Sequence, residues 1–335
     1  MTDKKAAMLT ETHAPMDEAE RGRDATAPHD IPPLGLKDVA WRVFYAIFED
    51  RISLIAAGVT FFLLLAFFPS MALLATIYGF FSDPSTIAAQ IGFLTDFLPP
   101  GGMALITDQL QSLSSQKNST LSFAFASSFV LALWSSSSGV KALFDAMNVA
   151  YGETESRSIL KLNAVALAFT LLATLLATLL IVAVGVIPAV LAFLRLDGWL
   201  EMLARVLRWP LALVIMIGMI MLVYRFGPSR EPAKLRWITW GAGVAALLWI
   251  IATLGFSYYL AHFADYNATY GALGTLIGVM IWVWISVMIL IVGAEINAEL
   301  EHQTRHDSTT GAPKPMGDRG AFVADTVGRK AENLS

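Results

Sequence analysis

No cysteine occurs in the 335 residues. Disulfides, thiolate metal sites and cysteine nucleophiles are excluded together. Charge is scarce too: Asp, Glu, Lys and Arg make up 15% of the chain, against about 25% in a soluble domain. Histidine is limited to His13, His29, His262, His302 and His306, four in polar terminal segments and one in a loop. There is no H-E-x-x-H and no glycine-rich phosphate loop with a lysine. Metal-dependent hydrolysis of RNA needs clustered His and Asp ligands, and no such set is visible, so no metal and no enzyme activity are expected. The net charge of −4 argues against a nucleic-acid partner. No cofactor is implied, and no apolar h-region of a signal peptide opens the chain.

What the chain has is apolar surface. It is 56% hydrophobic with a mean hydropathy of +0.60. That composition is of an integral membrane protein, with membrane lipids as its surroundings. The expected fold is all-α: a polytopic transmembrane bundle of about six spans. A disordered tail is expected over residues 1–36, the helical membrane domain over 37–301, and a second disordered tail over 302–335. Within Lys37 to Asp50, Val39, Val43, Phe44, Ile47 and Phe48 recur at helical spacing, which suits an amphipathic helix on the inner membrane surface or an extension of the first span.

The six spans read as Ile52 to Phe81, Leu121 to about Tyr151, Ile159 to about Phe193, Trp209 to Tyr224, Trp237 to Ala261, and Ala272 to about Glu299. Pro69 breaks the first, because proline removes a backbone donor and crowds the preceding turn. Between the first two spans, Asp83 to Thr120 reads as two short amphipathic helices separated by Pro99 to Gly102. Arg195 to Arg208 is expected to be a short amphipathic connector, and Arg225 to Arg236 a basic loop. Eighteen lysines and arginines fall on the side of the two termini, the second-to-third loop and the fourth-to-fifth loop; the opposite side has four. The positive-inside rule then places both ends in the cytoplasm.

The second span carries the most unusual stretch. Trp134, Ser135, Ser136, Ser137, Ser138 and Gly139 interrupt an apolar run, and Lys141, Asp145 and Asn148 follow. Lys141 and Asp145 are four apart, so on a helix they share a face and can neutralise each other. Trp134, Ser135, Ser138, Gly139, Lys141, Asp145 and Asn148 form a candidate polar seam. The alternative is a close helix contact with the charges near the inner interface. In the sixth span, Gly271, Gly274 and Gly278 share a face, which with Pro69 of the first span makes a candidate packing or pathway surface. Glu295 and Asn297 lie near its inner end; Glu295 reads either as a solvated interfacial carboxylate or as a functional acid.

Three blocks carry a resemblance. They are Ala56 to Leu74 (AAGVTFFLLLAFFPSMALL), Trp134 to Tyr151 (WSSSSGVKALFDAMNVAY) followed by Glu155 and Arg157, and Tyr270 to Leu300 (YGALG…GAEINAEL). Together they resemble the YihY/BrkB family of bacterial inner-membrane proteins, over about residues 40 to 301. The resemblance implies a six-helix inner-membrane protein with an extramembrane region between the first two spans. Members have carried the labels ribonuclease BN and virulence factor, and transport has been suggested. The residues of this chain favour a transporter, or a protein handling a small solute or lipid, over a nuclease. A non-catalytic membrane scaffold or envelope-integrity factor is the other reading.

Overall fold

The structure, a computed structural model, describes residues 18–79, 107, 123–181, 198–262 and 272–333. The amphipathic helices expected within 83–120, residues 1–17, Gly271 and the loop after His262 lie outside the described residues. The elements are α1 (Pro33–Glu49), α2 (Ile52–Gly79), α3 (Phe123–Ala150), α4 (Ile159–Ile181), α5 (Gly198–Phe226), α6 (Leu235–His262), α7 (Ala272–Glu301) and a single turn α8 (Phe322–Asp325). Short 3-10 turns cover Pro28–Asp30 and Ala331–Asn333. Among the described residues no strand forms; Ala233 and Thr309 make an isolated bridge.

An all-α bundle is what the composition predicts, and it is what forms. Each of α2 to α7 occupies one of the six apolar stretches. Ile159–Leu179, Leu235–Leu260 and Leu276–Glu301 are long and apolar enough to cross a bilayer, and α1 with the first part of α2 forms a pair bent by 61° that adds a fourth. α3 packs along α2 and α4, while α7 packs on α6, α2 and α1. Pro69 and Pro210 both sit inside continuous helices. Within the separate connector expected over Arg195 to Arg208, residues 198–208 instead form the start of α5, which runs through Pro210 without a break.

Small residues set the helix spacing. A Cβ on Gly241 of α6 would overlap the Gly293 carbonyl and the Asn297 side chain, so the two backbones touch where α6 crosses α7. Gly139 does the same for α3, where an added Cβ would lie 2.9 Å from the Leu63 side chain of α2. The shared core gathers Ile52, Ala56 and Val59 of α2, Ala146 and Met147 of α3, and Ile291 and Ala294 of α7. Outward faces of the long helices remain apolar, including Leu175, Leu179, Leu247 and Leu254. That is the surface a lipid environment requires.

The polar terminal segments depart from expectation. Residues 18–36 and 302–333 are folded, not disordered tails, and they lie against each other at one end of the bundle. Arg305 donates its backbone N–H to Arg23, and the Thr304 hydroxyl donates to the Ala25 carbonyl at 2.6 Å. Gln303, Thr304 and Ser308 are fully buried. The physical reason is pairing: Arg319 donates to the carbonyls of Ala324 (2.6 Å) and Arg305 (2.7 Å). Asp325 accepts backbone N–H groups from Gly317 and Arg319. Burial pushes against the Asp325 charge, yet these donors hold its pKa below the usual carboxylate range. A polar composition does not prevent folding when each buried group finds a partner.

Candidate functional site

The candidate site grows from the inner half of α7 and what converges on it. Glu295, Asn297, Glu299 and Glu301 occupy its last two turns, and each carboxylate meets a different solution. Glu301 is fully buried and pairs with Arg230, Nη2 to Oε2 at 2.7 Å. The Ser308 hydroxyl donates to the same oxygen at 2.7 Å, and the Arg230 guanidinium lies over the Tyr151 ring at 5.0 Å. Burial opposes the Arg230 charge, but Glu301 outweighs it and raises its pKa above the ordinary arginine value. Glu299 is gripped by the Arg42 guanidinium of α1, which also donates to Gln303 Oε1 at 2.8 Å.

Glu295 is the exception. It is 2% exposed, its Oε1 meets no N–H or hydroxyl donor, and no ion pair relieves it among the described residues. The group facing it is another carboxyl, that of Asp50, half-buried at the elbow between α1 and α2. Of the two sequence readings for Glu295, the solvated interfacial carboxylate is therefore not what forms.

The other predicted residues divide. Asn297 is structural: its Oδ1 accepts the Gly241 N–H at 2.7 Å and its amide donates to the Ile238 carbonyl at 3.1 Å. Asn148 clamps loops, accepting the Ser229 N–H at 2.6 Å and donating to Glu155 at 3.2 Å. Glu155 in turn holds Arg157, which donates to the carbonyls of Phe226 and Gly227 at the end of α5. Lys141 and Asp145 do not pair. Lys141 donates to Asn163 of α4 at 3.0 Å and lies over the Trp134 ring, while Asp145 is exposed. One turn of helix brought them to neighbouring positions, but α4 offered lysine a nearer acceptor.

The serine run is rotated relative to the expected face. Ser135 is exposed and Ser138 half-buried, whereas Ser136 and Ser137 are buried. Ser136 meets Ser70 of α2 at 2.6 Å, one residue past Pro69. Ser137 donates to the Trp134 carbonyl at 2.7 Å. With Gly139 pressed on Leu63, this seam is a tight contact between α2 and α3. Gly274 and Gly278 are both buried, and a Cβ on Gly278 would make only ordinary contact with Leu260 of α6. The residues missed from the sequence are Gly241, Gly293, Asp50 and the α4 ladder Thr170, Thr174 and Thr178, whose hydroxyls each bond a carbonyl one turn back at 2.8 Å. The fourfold spacing of those threonines was the available signal.

A sequence profile for the family described as "Virulence factor BrkB" matches residues 43–317. The chain belongs to that family. The BrkB match continues past α7 into the folded segment after residue 301, which the three-block resemblance left out. One relative is the "Putative ribonuclease-like protein YfkH" of Bacillus subtilis (strain 168), 30% identical over 221 residues, covering 64% of this chain and 77% of that protein. No solved structure matches.

Proposed function

We propose that this BrkB family protein is a multi-pass protein of the bacterial inner membrane that carries or handles a small solute or lipid. The observation that carries the reading is the buried Glu295 carboxyl, which faces the half-buried Asp50 and forms no ion pair among the described residues. Ionisable groups within spanning helices are costly and mark ion, proton or substrate routes. Two carboxyls facing each other can share a proton and exchange it as the bundle opens. Six long helices support six spans. The gathering of both terminal segments with the 153–158 and 227–234 loops at one end supports a shared, cytoplasmic side for the two termini. The ribonuclease-like description belongs to YfkH; here the reading is non-enzymatic.

A second reading, a membrane scaffold, is favoured by the dry contact of Gly139 and Ser136 with α2. Cysteine substitution separates the two, since the chain has no cysteine of its own. In proteoliposomes, Glu295→Cys is expected to react with a membrane-impermeant maleimide faster than Ala298→Cys, which sits in the core one turn further on. Equal silence at both positions in folded, inserted protein selects the scaffold.

A further inference from the structure

We propose that the elbow between α1 and α2 binds one anionic phospholipid, its acyl chain in the groove beside Trp284 and its phosphate on Arg51. Three observations place it there. First, the groove has a volume of about 430 Å³ and a mostly apolar lining of Ile47, Phe48, Leu54, Ala57 and Trp284, to which Arg51 and Ser53 add the polar side chains. Second, the Arg51 guanidinium is exposed and has no acidic partner among the described residues. Neither of its acidic neighbours, Glu49 and Asp50, forms an ion pair with it among the described residues. The contrast is with Arg21, Arg42, Arg157 and Arg230, all of which pair with carboxylates.

Third, Arg51 has φ 50°, the one left-handed non-glycine residue among those described. That conformation suits glycine or asparagine and costs an arginine about 1 kcal/mol or more. A charged side chain kept at such a position, at the corner where the chain turns by 61°, needs a reason beyond the turn itself. Depth points the same way. The exposed edge of α1 is aromatic, with Trp41, Phe44 and Phe48 in mutual edge contacts, as side chains at a headgroup boundary are. Arg51 follows directly on that edge, and Trp284 anchors the other wall by donating to the Ser53 carbonyl at 3.0 Å. Arginine at this level meets lipid phosphate, and the groove below it continues into the apolar face of α2.

The test uses the full chain purified in detergent, with lipid retention read by native mass spectrometry. Phosphatidylglycerol and phosphatidylcholine of identical acyl chains are compared, with inorganic phosphate as a third arm. Wild type is expected to retain phosphatidylglycerol about fivefold better than phosphatidylcholine, the scale of one arginine at an anionic surface. Arg51→Asn keeps the left-handed backbone without the charge and should erase the preference; Arg51→Lys should keep part of it. Ala57→Phe, which fills the groove and leaves Arg51 in place, should lower retention of both lipids. A preference that survives Arg51→Asn, no preference in wild type, or displacement of the lipid by inorganic phosphate alone would each overturn the assignment.

Discussion

Arg230 and Glu301 face each other at 2.7 Å with side chains 1% and 0% exposed, 71 residues apart in the chain. They fasten the loop between α5 and α6 to the end of α7. Removing one partner leaves an uncompensated buried charge, a loss of roughly 3–5 kcal/mol. Arg230→Met and Glu301→Leu should each lower the unfolding midpoint in detergent steeply, and the double variant should recover much of the loss. Losses that simply add would mean the two charges are not coupled.

Where α6 crosses α7, the backbones of Gly241 and Gly293 leave no room for a methyl group. Gly241→Ala is therefore expected to destabilise by about 1–3 kcal/mol through overpacking. Gly243→Ala, two residues on and facing open space, is the control and should be neutral or slightly stabilising. Thermal unfolding of the two variants side by side decides the point; equal midpoints would refute the close approach.

The Glu155 clamp should respond to acid. Hydrogen bonds from the Arg157 side chain push the Glu155 pKa down to about 2. A pKa lowered on folding stabilises the folded state above the unfolded value and loses that effect as pH falls through the folded one. Hydrogen exchange at residues 155–158 and 227–229 should thus stay slow down to about pH 4 and speed up towards pH 2, once corrected for intrinsic rates. Glu155→Gln should exchange faster throughout and lose this pH dependence.

Protease resistance checks the folded C-terminal segment. Arg319 is 5% exposed and its guanidinium is spent on backbone carbonyls, so trypsin should spare it while the bundle is intact. Arg319→Ala should open the segment to cleavage at Arg329 and Lys330. Rapid cutting at Arg319 in wild type would show the segment to be loose.

The sequence by itself determined the class of protein. Scarce charge, no cysteine and six apolar stretches leave an all-α membrane bundle as the only sensible home for this surface, and the three motif blocks resemble the family the profile match then showed. Helix positions follow from local hydropathy, which is why α2 to α7 fall where the apolar runs do. Partner choice is not local. Lys141 took Asn163 rather than Asp145 because α4 lies beside α3, and the buried serines are Ser136 and Ser137 because α2 packs on that face. The arginines of the N-terminal and C-terminal segments read as a charge bias in the sequence, yet several are consumed by carboxylates and carbonyls far away in the chain. Those pairings fold segments whose composition alone indicates disorder. Asp50 and Glu295 are 245 positions apart, and only the bend at Arg51 and the crossing of α7 bring the half-buried Asp50 to face the buried Glu295.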